Sequence, residues 1–157
     1  MSSPTRSTRS SGTSRRSRNA LQVALTYLLD SDICIEALRR RSVQVLQHLR
    51  RHSPRDIAVS AISEGELRIG ALKSAAPARN GAAVDALLRP FQILPFGREC
   101  VPTYAKLRFE LDSAGMRIGA LDQLIAAQAI TLELIVVTNN VREFRRVPGL
   151  RVENWLS

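Results

Sequence analysis

The chain is short of acidic residues, cysteine and lysine, and it has no long apolar run. Each shortage excludes something. No stretch approaches the roughly 20 apolar residues of a membrane span, so a spanning helix is not expected. The two cysteines, Cys34 and Cys100, follow no CxxC or zinc-ligand spacing, which argues against a disulfide framework and a cysteine zinc site. Cys34 falls in an apolar helical pattern, where a thiol acts as a small hydrophobe. A reducing, cytoplasmic setting is the simplest expectation. Internal repeats are absent. With Lys73 and Lys106 as the only lysines, nearly all positive charge is arginine, a bias of composition rather than a sign of phosphate binding.

The shortage of acids leaves a formal charge of +9, unevenly spread. Residues 1–19 carry Arg6, Arg9, Arg15, Arg16 and Arg18 with no acid, and the remainder holds only a mild excess. A basic excess suits a polyanionic partner such as nucleic acid, an acidic protein, or simply a soluble basic surface. The Ser/Thr/Arg-rich start lacks the apolar segment of a secretory signal. Residues 1–22 are expected to form a disordered extension, with translation starting near Val23 as an alternative, and residues 23–157 to form one domain. At 157 residues and 45% hydrophobic content, that domain has room for a real core.

Short apolar segments alternate with helical patterns. Strands are expected at 24–29, 57–60, 91–96, 134–138 and 151–155. Helices are expected from 32 to 51 with a break near 40–42, from 63 to 73, from 82 to 89, from 99 to 113 and from 121 to 132. Residues 75–80 read as a loop, with Pro77 and Gly81 as breakers. Such alternation predicts a mostly parallel sheet covered on both faces.

Four acids interrupt apolar or basic stretches at element ends: Asp30, Glu66, Asp122 and Glu143. In open parallel sheets, ligands bind beyond the carboxyl ends of the strands. Carboxylates gathered there repel one another unless a cation neutralises them, and oxygen ligands favour Mg²⁺ or Mn²⁺. Each acid also has an ordinary structural role available. Asp30 suits a helix cap, although Asp32 does too. Ser63 and Glu66 match a capping box, and Glu64 competes with Glu66. Asp122 shares a face with Ile125, Ala126 and Ala129, and near a helix start the macrodipole favours its charge. Glu143 has Arg142, Arg145 and Arg146 as candidate solvated partners. Thr138 and one of Asn139 and Asn140 are placed to hold carboxylates by hydrogen bonds, or they simply form a turn.

Four segments carry a family resemblance, in order and at ordinary separations. Leu28-Leu29-Asp30-Ser31-Asp32-Ile33-Cys34-Ile35 resembles the L-L-D-T-N-I-C-I opening of VapC-family PIN-domain toxins. Ser60 to Gly70 is similar to their second stretch, whose A/M-E-L-x-x-G core carries a catalytic Glu. Ile118 to Ala127 resembles their I-G-x-x-D-x-L-I-A-A helix. Val137 to Leu150, with Glu153-Asn154-Trp155, resembles their C-terminal V-T-N-N-x-R-E-F-x-R-V-x-G-L and E-x-W stretch.

The resemblance covers residue 25 to the end. It implies a PIN-like three-layer α/β/α sandwich with a central mostly parallel sheet, usually dimeric. It also implies an endoribonuclease toxin held inactive by a cognate VapB-like antitoxin. By the same resemblance Asp30, Glu66, Asp122 and Glu143 form the catalytic quartet, with Asp30 and Asp122 the direct Mg²⁺ or Mn²⁺ ligands. Ser31, Asp32, Thr138, Asn139 and Asn140 are expected in support, and Arg68, Arg142 and Arg145 as grips on the RNA backbone. Two features depart from the family: the arginine-rich extension, and Ser31-Asp32 where Thr-Asn is usual. Asp32 puts a charge in place of an amide, which would alter metal affinity or add a ligand.

Two rival readings differ in class. Asp30-Ser31-Asp32 satisfies the D-x-D core of haloacid-dehalogenase-like phosphatases, but Cys34 and the lack of a later Gly-Asp-x-x-x-Asp do not fit. A catalytically degenerate PIN domain serving as a binding or regulatory protein is the other, which Mn²⁺ titration would separate.

Overall fold

The computed structural model describes residues 25–157, so the expected extension over 1–22 lies outside the described residues. Five short strands form one parallel sheet: β1 (Tyr27–Leu29), β2 (Ile57–Ser60), β3 (Gln92–Leu94), β4 (Ile135–Val137) and β5 (Val152–Glu153). Their order is β3-β2-β1-β4-β5. The register aligns Leu28 with Ala58 and Val136, and Leu29 with Val59 and Val137. Side chains alternate across a strand, so these two rows enter opposite faces. That is why the central strands read as unbroken apolar runs.

Between the strands lie α1 (Ser31–Arg39), α2 (Val43–Arg51), α3 (Ala61–Leu72), α4 (Pro77–Leu88), α5 (Val101–Ser113), α6 (Ala120–Leu132) and the single turn α7 (Val141–Phe144). Leu29, Val59 and Val137 pack with Ile33, Cys34, Val45, Leu67, Val84 and Leu88 from α1 to α4. Leu28, Ala58 and Val136 pack with Leu107 and Leu111 of α5, Ile125 and Ala126 of α6, and Phe144 of α7. The result is the expected three-layer sandwich, with a sheet that is parallel throughout.

Local chemistry explains the boundaries. The expected break between α1 and α2 falls at Arg40, whose φ of 50° closes α1, and Ser42 then caps α2 by accepting the Val45 N–H at 3.2 Å. After α5, Gly115 takes a φ of 67°, open to glycine at little cost, and the Met116 N–H turns back to the Leu111 carbonyl at 3.0 Å. Trp155 closes the α1–α4 layer at 1% exposure. Its indole N–H donates to Glu153 at 3.0 Å, His48 and His52 stack on it at 5.0 and 5.2 Å, and Tyr27 meets its edge at 5.1 Å.

Two expected boundaries are corrected. Helix α3 starts at Ala61, not Ser63, because Ser60 is its cap and accepts the Ile62 N–H at 3.2 Å. Ser63 is instead a fully buried helical residue, so it forms no capping box with Glu66. Helix α4 starts at Pro77, in what reads as a loop, because proline at the first helical position forfeits no internal hydrogen bond. Gly81 lies within that helix.

Candidate active site

The chain passes from β1 to β2 to β3 in one direction across the sheet, then returns to place β4 on the other side of β1. The loops leaving β1 and β4 therefore diverge at a shared crevice, the usual ligand position in this architecture. Asp30 leaves β1 there and is 5% exposed. Its N–H donates to the Val137 carbonyl at 2.9 Å. One carboxylate oxygen accepts the Ser31 N–H at 2.8 Å, capping α1, and the other accepts the Thr138 hydroxyl at 2.9 Å. Capping and a central place in the site thus coexist in one residue.

Thr138 is fully buried at the end of β4 and accepts the Asn140 N–H at 2.9 Å. Asp32, in the first turn of α1, accepts the Asn139 N–H at 2.9 Å and lies 3.3 Å from the Thr138 hydroxyl. Asn140 reaches the other acids. Its amide donates to Glu143 at 2.9 Å and approaches Asp122, at the start of α6, at 3.4 Å. Asn139 faces away from the acids, its side-chain oxygen accepting from Asn154 at 3.3 Å. Of the two asparagines, only Asn140 holds carboxylates through its side chain. Nothing in the pattern Thr-Asn-Asn separates them, since the choice depends on the turn the backbone takes after β4.

Glu66 projects from α3, and its buried Oε1 has no hydrogen-bond partner among the described residues. Glu64 pairs instead with Arg68 at 3.2 Å, and Arg68 also reaches Asp85 at 2.8 Å. Glu64 is thereby removed as a competitor, and Arg68 is engaged rather than free to grip a phosphate. Arg142 and Arg145 are exposed on and just after α7. Gly119, which precedes α6, leaves room for the aspartate: a Cβ there would sit 3.3 Å from an Asp122 carboxylate oxygen.

The acids sense one another. Burial, then the charge of Asp32, raises Asp30 to about 6, with Glu66 adding to it and the Thr138 and Ser31 hydrogen bonds opposing it. Burial raises Asp122 to about 7, followed by the charge of Asp30 and the hydrogen bond and charge of Glu143. Glu143 is lowered, chiefly by the Asn140 amide, with Asp122, the Gly119 N–H and Arg146 contributing. Asp122 and Glu143 thus titrate as a pair, with Asp122 raised and Glu143 lowered. Burial also raises Glu66, opposed by Ser31 and reinforced by Asp32.

Among the described residues, no three acidic, histidine or cysteine side chains stand close enough to ligate one ion as they are. The donor set still fits a hard divalent ion: every group is an oxygen, one buried Glu66 oxygen lacks a partner among the described residues, and burial followed by neighbouring negative charge raises two of the carboxyls.

The PIN domain family matches residues 27–150, which include all four acids. Ribonuclease VapC2 of Rickettsia felis is 36% identical over 132 residues, 83% of this chain and 98% of the relative. The tRNA(fMet)-specific endonuclease VapC of Salmonella typhimurium is 35% identical over 131 residues, with the same coverage. The crystal structure of DNA-bound VapBC from Salmonella typhimurium superposes with a TM-score of 0.80 at 34% identity, covering 83% of this chain and 98% of that one. These matches leave no room for the dehalogenase-like alternative. The chain belongs to the PIN domain family and, within it, to the VapC ribonucleases.

Proposed function

We propose that this VapC ribonuclease hydrolyses RNA phosphodiester bonds with Mg²⁺ or Mn²⁺ held by Asp30 and Asp122, as the toxin of a toxin–antitoxin pair acting in the cytoplasm. The observation that carries this reading is the electrostatic coupling of Asp30, Glu66, Asp122 and Glu143 at the switch point between β1 and β4. A bound divalent ion would lower the pKa of water and offset charge on the scissile phosphate. Glu66 and the Asp122–Glu143 pair supply carboxylates able to take up and return a proton. Thr138 and Asn140 hold Asp30 and Glu143 in place, and exposed Arg142 and Arg145 offer charge to the RNA backbone, with affinity falling as salt rises. The working unit is residues 23–157, and it acts as a homodimer held inactive by the antitoxin.

A groove of about 270 Å³ between α1, α3 and α4 supports the antitoxin part of this reading. Ile35, Leu38, Leu67 and Val84 line it, and Glu66 lies on its wall, so a segment seated there would lie beside the catalytic carboxylates. No helix among the described residues is long and apolar enough to cross a membrane. The test is cleavage of a structured RNA by the purified chain free of antitoxin. Cutting with Mn²⁺ should stop with EDTA, and Asp122→Asn should lower the rate at least 100-fold. Equal cutting by that variant would refute the assignment. No measurable Mn²⁺ binding would favour a purely regulatory PIN domain.

A further inference from the structure

We propose that Asp32 belongs to the metal pocket as a fifth carboxylate, setting ion affinity through its charge rather than serving only as a clamp on the loop after β4. This inference rests on the quartet reading given above. The Thr138 hydroxyl carries one proton and lies within reach of two carboxylates. It is 2.9 Å from Asp30 and 3.3 Å from the nearer oxygen of Asp32. The Thr138 oxygen already accepts the Asn140 N–H, which orients its own proton outward to a single acceptor. The shorter contact assigns that proton to Asp30.

Asp32 is left with the Asn139 N–H at 2.9 Å as its one short hydrogen bond in this loop. Beyond a pull from the Ile33 and Asn140 N–H groups, it faces Asp30 across a shared hydroxyl, so the two carboxylates lie within about 6 Å in a partly buried site where screening is weak. An asparagine here would accept the same N–H and bring no charge. The clamp therefore does not need an aspartate, and the charge acts on Asp30 and on whatever cation Asp30 holds.

The charge has effects of opposite sign with and without metal. Without an ion it repels Asp30 and Glu66 and destabilises the fold. With an ion beside Asp30 the same charge would attract it. Asp32→Asn isolates the charge because the acceptor for Asn139 is retained, whereas Asp32→Ala removes both.

The experiment is Mn²⁺ titration of the full chain by calorimetry, with thermal unfolding measured in EDTA and in saturating Mn²⁺, for wild type, Asp32→Asn, Asp32→Ala and Asp122→Asn. Asp32→Asn should bind Mn²⁺ at least tenfold more weakly yet melt higher than wild type in EDTA. A lower melting point in EDTA for Asp32→Asn, or affinity equal to wild type, overturns the proposal and leaves Asp32 a clamp. Asp122→Asn reports separately on the quartet: unchanged Mn²⁺ affinity in that variant would sink the underlying assignment, whatever Asp32 does.

Discussion

Asp30→Asn should change how stability depends on pH, and the expected size follows from the environment of that carboxyl. Its pKa is raised from 3.8 to about 6 in the folded protein, first by burial and next by Asp32. The folded state therefore holds a proton that the unfolded state has released between about pH 4 and 6. A raised acid contributes stability that is complete below pH 3.8 and lost as pH climbs through about 6. A rise from 3.8 to about 6 is equivalent to about 3 kcal/mol. Wild type without metal should lose about that much between pH 4 and pH 7 relative to Asp30→Asn, which cannot ionise. The amide retains an oxygen for the Ser31 N–H, so the cap on α1 survives. The assay is urea unfolding in EDTA at half-unit steps from pH 4.5 to 8. Saturating Mn²⁺ should flatten or reverse the wild-type slope, because the ion favours the ionised carboxylate. Parallel profiles for the two proteins would refute the reasoning, since the carboxyl would then titrate alike in both states.

Two other substitutions probe the supports of the site and of the fold. Asn140→Ala removes the amide that holds Glu143 at 2.9 Å, and ribonuclease activity or Mn²⁺ affinity should fall roughly 10- to 100-fold, as for other residues that orient metal ligands. Steady-state kinetics with Mn²⁺ titration would show it, and unchanged values would relegate Asn140 to a turn residue. Trp155→Ala empties the space under His48, His52 and Tyr27 and should cost about 3–5 kcal/mol in urea unfolding. A loss below about 1 kcal/mol would mean that the terminal segment is not part of the cooperative fold.

The central strands were legible because both faces of a parallel sheet are buried, which makes their segments continuously apolar. The four acids stood out because each breaks such a run or heads a helix. The sequence could not show which role would prevail where one residue satisfies two patterns. Asp30 is both cap and site residue, while Glu66, free of Ser63, leaves a buried oxygen without a partner. Pro77 reads as a breaker and in fact opens a helix, since proline serves either end of a loop. The partners of Thr138, Asn140 and Asp32 were hidden for a different reason. The Thr138 and Asp32 contacts form across the ends of β1 and β4 and the Asn140 contacts reach α6 and α7, and no local pattern encodes how distant elements lie alongside.

The Thr138–Asp30 hydrogen bond spans 108 positions of sequence, and it joins the ends of two neighbouring strands made far apart in time during synthesis. During translation, β1, β2 and β3 leave the ribosome with no partner on the far side of β1. A half-made chain, or one ending before residue 135, lacks the strand that brings Thr138 and Asn140 beside Asp30. The order of the strands thus leaves Asp30 without these two supports until β4 has been made and has paired with β1.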